Sequence, residues 1–289
     1  MLISELYTDG VHLLKDAGIV DAELEISLLL AHILGKTRTH IYLSGSENVS
    51  ENAGNEFTYA LAKRLERMPL AYITGEQEFW SLPFTVSPDV LIPRPETEQM
   101  LEMVLSVIED WSLKVENVLD LGTGSGVIAI VLAKEIAQAS VVAVDQSLKS
   151  LKIAKSNVVR HGLAARVQCL CSDWGASVRN GEWDLIVSNP PYVASDILHS
   201  LAPEVQKEPL AALNGGKYGM ESIYDLVFQV EQLLKPGGWF FMEIGYDQER
   251  YVEDLFQSIP SFEKVTVRRD HAGLPRVAQA RKIDQTLTK

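Results

Sequence analysis

Val118-Leu-Asp120-Leu-Gly122-Thr-Gly124-Ser-Gly126-Val-Ile-Ala-Ile-Val131 is the stretch that decides the fold. Its first four residues read as a short buried strand, and Val127, Ile130, Val131 and Ala133 beyond the glycines fit a helix. A strand that breaks into a glycine-rich turn and then a helix marks a ligand site at the carboxyl end of an open α/β sheet. Residues without a Cβ let the backbone turn tightly and approach a ligand closely. The dinucleotide pattern G-x-G-x-x-G fails, because Val127 occupies the place of its third glycine, and the phosphate-binding G-x-x-x-x-G-K-[ST] is absent. Nicotinamide and nucleotide triphosphate readings lose ground accordingly.

Outward from this loop, short apolar runs alternate with helical patterns. Strands are expected near Val118 to Leu121, Val141 to Val144, Val167 to Leu170, Leu185 to Val187 and Trp239 to Ile244. That alternation predicts an α/β fold, a parallel sheet with helices on both faces. Upstream the pattern is helical. Leu6, Gly10, Leu13, Leu14 and Ala17 follow a candidate cap at Ser4, and Leu24, Leu28 and Ala31 form a stripe between Asp21 and Gly35. Phe57, Leu61, Leu65 and Met68 line a third helix ended by Pro69. Phe79, Trp80, Leu82, Phe84 and Val86 then suggest an irregular hairpin, with turn chemistry at Ser87-Pro88-Asp89. The expected organisation is a small helical domain over 1–75, a β-hairpin linker over 76–93 and an α/β domain over 94–289.

The bulk numbers agree with a globular chain. Its 289 residues are 46% hydrophobic and 22% charged, enough to bury a core. Acidic residues outnumber basic ones 39 to 26, for a formal charge of -13. A negative surface opposes the phosphates of a duplex, so direct DNA binding is disfavoured. Cys169 and Cys171 fall on one face of an apolar stretch and are expected as two buried thiols in a reducing compartment, with no metal. The opening MLISELYTDG has no basic leader, and no segment reaches the ~20 apolar residues of a membrane span. A cytoplasmic protein is expected, with a monomer as the default state.

Asp145 ends the strand Val141-Val-Ala-Val144, where a carboxylate can accept both hydroxyls of a ribose; the plain structural alternative is a cap for the helix that follows. Asp173-Trp174 follows the next strand, where a ring can cover an adenine and a carboxylate can accept from its amine, with a core tryptophan as the alternative. Together these residues and the acidic D-x-G-x-G-x-G loop resemble the class I fold of S-adenosylmethionine (SAM) dependent methyltransferases. The resemblance implies SAM as cofactor, S-adenosylhomocysteine as product, and a binding role for Asp120, Gly122, Thr123, Gly124, Ser125, Gly126, Asp145, Asp173, Trp174 and Asn189.

Asn189-Pro190-Pro191-Tyr192 comes directly after the strand Trp183 to Ser188, at the same sheet edge. The prolines stiffen the loop and leave carbonyls free, Asn189 adds a side-chain acceptor and Tyr192 an aromatic face. Such an array suits a planar NH2 group. An amide nitrogen is a poor nucleophile because its lone pair is shared with the carbonyl. Acceptors at Asn189 and the Pro190 carbonyl would hold it in place and favour the charge it acquires.

Asn-Pro-Pro-Tyr occurs in methyltransferases of adenine amino groups and of protein glutamine. Leu91-Ile-Pro-Arg94-Pro-Glu96-Thr-Glu98 and Gly75-Glu-Gln-Glu-Phe-Trp80 extend the resemblance over the whole chain to the protein release-factor glutamine N5-methyltransferases. It implies that Asn189, Pro190, Pro191 and Tyr192 hold the glutamine of a Gly-Gly-Gln loop. The helical domain and hairpin would contact a peptide-chain release factor, the protein partner. Arg94 and Glu96, fixed between prolines, are candidates for substrate contact or for a salt bridge at the domain junction. Lys217-Tyr218 and His271 stand where the family commonly has other residues, which bears on docking. Three competing readings remain: glutamine methylation of a large-subunit ribosomal protein, adenine-N6 methylation of DNA, and a binding module without turnover.

Overall fold

In the computed structural model, which describes residues 1–284, the chain divides into two units. The first is Met1–Glu76 joined by Ala202–Lys207, and the second is Gln77–Leu201 with the chain from Glu208 onward.

The first unit is helical: α1 (Ile3–Asp16), α2 (Ala22–Leu34), α3 (Arg38–Leu43), α4 (Glu51–Leu65) and α5 (Leu70–Thr74). Thr37 and Ser50 cap α3 and α4 by accepting the backbone N–H of His40 and Ala53. Helix α1 begins behind Leu2 instead of Ser4, with the Glu5 carboxylate accepting the Leu2 N–H at 2.7 Å. The expected stripe on α2 is also displaced. Leu24 and Leu28 are exposed, while Ile26, Leu29 and Leu30 fill the core with Leu14 and Phe57. A helix apolar on most of its circumference offers two candidate faces, and packing against α1 and α4 selects between them. Helix α4 stops at Leu65, short of Met68, and Pro69 opens α5 instead of ending α4. Arg64 is buried between Glu25 and Glu204, so residues 202–207 are held to this unit by an ion pair.

The hairpin β1 (Glu76–Phe79) and β2 (Leu82–Thr85) starts at the last residue of the Met1–Glu76 stretch and lies otherwise in the second unit. Its two-residue turn, Trp80-Ser81, has φ of 56° at both positions, a type I′ geometry that normally selects Asn-Gly. Outside contacts hold it: the Trp80 N–H donates to the Glu98 carboxylate and its indole N–H to Glu135 at 2.8 Å. The remaining elements are α6 (Pro95–Asp110), β3 (Asn117–Leu121), α7 (Val127–Glu135), β4 (Ser140–Asp145), α8 (Leu148–Arg160), β5 (Val167–Cys171), β6 (Trp183–Ser188), α9 (Leu210–Leu213), α10 (Glu221–Leu233), β7 (Leu234–Glu243), α11 (Glu249–Gln257), β8 (Phe262–Arg269) and β9 (Pro275–Lys282).

These strands form one sheet in the order β5-β4-β3-β6-β7-β9-β8. The five expected strands are parallel, and β9 and β8 add an antiparallel edge that the alternation does not reveal. Alternate residues feed two cores. Val118, Ala143, Val187 and Phe241 pack with α6 and α7, whereas Leu119, Val144, Ile186 and Phe240 pack with α10 and α11. Cys171 is exposed and Cys169 half-buried, against the expected pair of buried thiols, because β5 is an edge strand. Among the described residues, no helix is long and apolar enough to cross a membrane.

The displaced face of α2 is testable by chemical denaturation. Ile26→Ala should cost about 2–5 kcal/mol by opening a cavity in the helical core. Leu28→Gln should stay within about 0.5 kcal/mol, as exposed substitutions do.

Candidate active site

Strand order reverses at β3, with β4 on one side and β6 on the other, and a crevice at the carboxyl ends of strands forms at such a point. A cavity of about 920 Å³ lies there, at the upper end of the roughly 300–1,000 Å³ typical of ligand pockets. Gly122, Thr123, Gly124, Ser125, Asp145, Asp173, Trp174, Asn189, Pro191 and Arg94 line it. Asp120, Gly126, Pro190, Tyr192 and Glu96 do not.

The glycine loop is held from several sides. The N–H groups of Gly122 and Thr123 both donate to the Val144 carbonyl, at 2.9 and 2.8 Å. Gly122 has φ of 79°, and a Cβ there would stand 3.4 Å from the Trp174 ring, so the backbone conformation and the indole both favour glycine. Asn157, fully buried on α8, donates to the Ser125 carbonyl at 2.9 Å and exchanges hydrogen bonds with Thr85 of the hairpin. Asp120 accepts the Thr123 hydroxyl at 2.6 Å and the Ala129 N–H at 3.1 Å through one oxygen, while its other oxygen has no partner among the described residues. Burial pushes its carboxyl up to about 7. Its position is beneath the loop, outside the cavity lining.

Asp145 accepts the N–H of Gly124 at 2.9 Å and of Ser147 at 2.8 Å, one on each oxygen. The cap of α8 is Ser147, whose hydroxyl accepts the Ser150 N–H, so the capping alternative for Asp145 is not the one realised. Burial raises the Asp145 carboxyl, and those two N–H groups oppose the shift.

Asn189 directly follows β6, whose last residue, Ser188, donates its hydroxyl to the Leu121 carbonyl at 2.6 Å. The Asn189 amide NH2 donates to the Thr97 hydroxyl and to Glu243, both at 3.0 Å. Its Oδ1 is the side-chain acceptor left over. Tyr192 packs against the core below β6 and β7 and donates its hydroxyl to Glu243 at 3.0 Å, with burial as the main cause raising the phenol. Glu243 is itself fully buried, its carboxyl raised by burial against the Thr97 and Tyr192 hydrogen bonds.

The loop after this tetrapeptide is braced from behind. Gln248 donates to the carbonyls of Tyr192 and Gly219, both at 3.0 Å, and a Cβ on Gly219 would collide with the Tyr192 carbonyl. Arg94 pairs with the buried Glu208, which also accepts the Ile92 N–H at 3.1 Å; Glu96 is not its partner. Tyr218 and His271 are exposed.

Sequence patterns do not single out Thr97, Asn157, Glu208, Gln248 or Glu243. Only Glu243 carries a usable signal, as a carboxylate inside the apolar run Trp239 to Ile244.

The sheet and the placement of the cavity make this a class I SAM-dependent methyltransferase fold. Among solved structures, a methyltransferase from Pyrococcus furiosus is 18% identical and superposes with a TM-score of 0.51 over 81% of this chain and 98% of that one. The Thermus thermophilus 16S rRNA N2 G1207 methyltransferase, solved with AdoMet and guanosine, is 23% identical, covering 72% of this chain and 49% of that one at a TM-score of 0.50. Family models match twice: a PrmC N-terminal domain over residues 5–75 and a methyltransferase small domain over residues 99–216. A release factor glutamine methyltransferase of Koribacter versatilis is 39% identical over 98% of this chain and 99% of its own length. One from Moorella thermoacetica is 37% identical over 96% and 97%. The chain belongs to the release factor glutamine methyltransferase family.

Asp120 supplies a pH test. Its folded value of about 7 lies above the ordinary 3.8, so the folded state holds this proton more tightly than the unfolded one. Its stabilising contribution is complete below about pH 4 and is lost as pH rises through about 7, on the order of 4 kcal/mol at about 1.4 kcal/mol per pH unit. Urea denaturation of wild type and Asp120→Asn at several pH values should show wild type losing stability relative to the variant across that window. A constant difference would contradict the assignment.

Proposed function

We propose that this protein transfers a methyl group from SAM to the side-chain amide nitrogen, N5, of the glutamine in the Gly-Gly-Gln motif of peptide-chain release factors. The observation that carries the reading is the orientation of the Asn189 amide. With its NH2 turned to Thr97 and Glu243, the Asn189 oxygen is the group available to accept an N–H from a substrate carboxamide. The names of the relatives, release factor glutamine methyltransferase in Koribacter versatilis and Moorella thermoacetica, support the same substrate.

The residues present fit the cofactor. Gly124 has φ of 55° with open space where a Cβ would stand, and Asp145 and Asp173 offer carboxylates to the cavity beside the Trp174 ring. We assign Gly122, Thr123, Gly124, Ser125, Asp145, Asp173 and Trp174 to its binding, with Asp120 and Gly126 shaping the loop from beneath. The cofactor contributes one electrophilic methyl group on a sulfonium, which departs as a neutral thioether. The protein contributes position. Asn189 Oδ1 would accept one N–H of the glutamine and so orient its nitrogen in the cavity, whereas the Pro190 carbonyl, expected as the second acceptor, does not line it. Methylation would replace one N–H proton, lost to solvent, with the new N–C bond, and Asn189 would favour the positive character the nitrogen acquires. No general base is invoked, because that proton becomes acidic only as the methyl group arrives. Placing two reactants in this way is worth on the order of 7–11 kcal/mol over free reactants. Residues 1–75 serve release-factor recognition in this reading, and Arg94 acts by holding Glu208.

Incubation with labelled SAM and a release factor, its Gln→Ala variant, a large-subunit ribosomal protein preparation and duplex DNA tests the assignment. Label should enter only the intact release factor; label on DNA or ribosomal protein alone would sink it. Asn189→Ala should lower turnover about 10²–10³-fold, the loss typical of one transition-state hydrogen-bonding partner, with SAM affinity nearly unchanged. Asp145→Ala should instead weaken SAM binding by calorimetry about 10–100-fold, as loss of charged hydrogen-bond acceptors does.

A further inference from the structure

The last residue of β7 is a carboxylate with no exposure to solvent, and the transfer chemistry gives it nothing to do directly. Glu243 Oε2 accepts the Thr97 hydroxyl at 2.6 Å and the Asn189 Nδ2 at 3.0 Å, and Oε1 accepts the Tyr192 hydroxyl at 3.0 Å. Thr97 Oγ1 in turn accepts from the same Asn189 NH2 at 3.0 Å. The NH2 end of the Asn189 amide is thus directed at the Thr97–Glu243 pair. An amide is planar, so fixing Nδ2 also fixes Oδ1, which no described residue engages. A flipped Asn189 would confront a substrate NH2 with another NH2, and donor against donor is repulsive.

We propose that Glu243 is a positioning residue for methyl transfer, acting directly and through Thr97 to lock the Asn189 amide with its oxygen toward the substrate nitrogen. Thr97 is delivered by the first turn of α6, which Pro95 starts at a position where its missing N–H costs nothing. Tyr192 completes the cluster from the other side, tying the end of the tetrapeptide to the same carboxylate. The inference rests on the proposed function only in naming what Oδ1 holds.

The test uses the full chain with two readouts. Glu243→Met removes the acceptor and should lower kcat for the release factor at least ~100-fold while leaving SAM affinity within about twofold, a pattern typical of lost orientation. Glu243→Gln can still place an oxygen toward Thr97 and Asn189 and should retain activity within about tenfold of wild type. In an Asn189→Ala background the Glu243→Met penalty should vanish, because there is no amide left to orient. An equal penalty in both backgrounds would mean Glu243 is merely structural. Should Glu243→Met fail to fold, Thr97→Val takes its place, with a kcat loss of about tenfold expected in wild type and none in Asn189→Ala. The second readout is independent of turnover: hydrogen exchange of the Asn189 side-chain amide, followed by NMR, should be slow in wild type and faster in Glu243→Met or Thr97→Val. Unchanged exchange would overturn the inference. If the wild-type enzyme labelled no release factor but the exchange difference persisted, the substrate assignment would fail and the lock would stand.

Discussion

The register of the parallel strands is the constraint on which the site depends. Val144, Leu121, Ser188 and Met242 lie level on β4, β3, β6 and β7. The residues that follow them, Asp145, Gly122, Asn189 and Glu243, therefore form one row along the sheet edge at the ~4.8 Å spacing of neighbouring strands. Side chains alternate between faces, so this row falls on the same face as Ala143, Val187 and Phe241, two residues earlier on their strands, which is covered by α6 and α7. A one-residue slip in any strand would turn its member of the row toward the opposite core. The hydrophobic alternation that stabilises the sheet is thus the same feature that aligns the proposed cofactor acid, a glycine turn, the proposed substrate acceptor and a buried carboxylate.

The loops then inherit their positions from the strands. Thr123 and Gly122 hang from the Val144 carbonyl, Asp145 accepts the Gly124 N–H, and Ser188 ties the start of the proline loop to Leu121. Asn157 extends the scaffold to the hairpin, since one buried amide serves both Ser125 and Thr85. These are short bonds between buried or half-buried groups, where competition from water is weak and each bond is worth more than at the surface. Rigidity at the sheet edge is consistent with chemistry that depends on position more than on acid or base strength.

What can be read from sequence divides along the same line. The parallel strands, the glycine turn and Asn189 to Tyr192 are legible because each is a local pattern contained in a short run of residues. The antiparallel strands β8 and β9 are not, since Phe262–Arg269 carries polar residues through a bulged edge strand and resembles an exposed loop. The α2 stripe shifts because its burial is decided by packing partners, and the type I′ turn at Trp80-Ser81 lacks the glycine that normally announces it. Glu243 and Thr97 are 146 residues apart, and neither has meaning without the other.

The identity of the buried group follows from what hydrogen bonding can specify. Burying a carboxylate costs several kcal/mol unless donors meet it, and an apolar side chain of similar volume would avoid that cost. An apolar residue would leave the Asn189 amide with two orientations of similar energy, however, and a glutamine could itself flip to follow it. A carboxylate has no such freedom: while ionised it can only accept. Every hydrogen around it must then point inward, from Tyr192, from Thr97 and, partly through Thr97, from Asn189. While ionised, the carboxylate at the end of β7 sets the direction of the whole chain of hydrogen bonds, and the far end of that chain is the Asn189 oxygen proposed to meet the substrate.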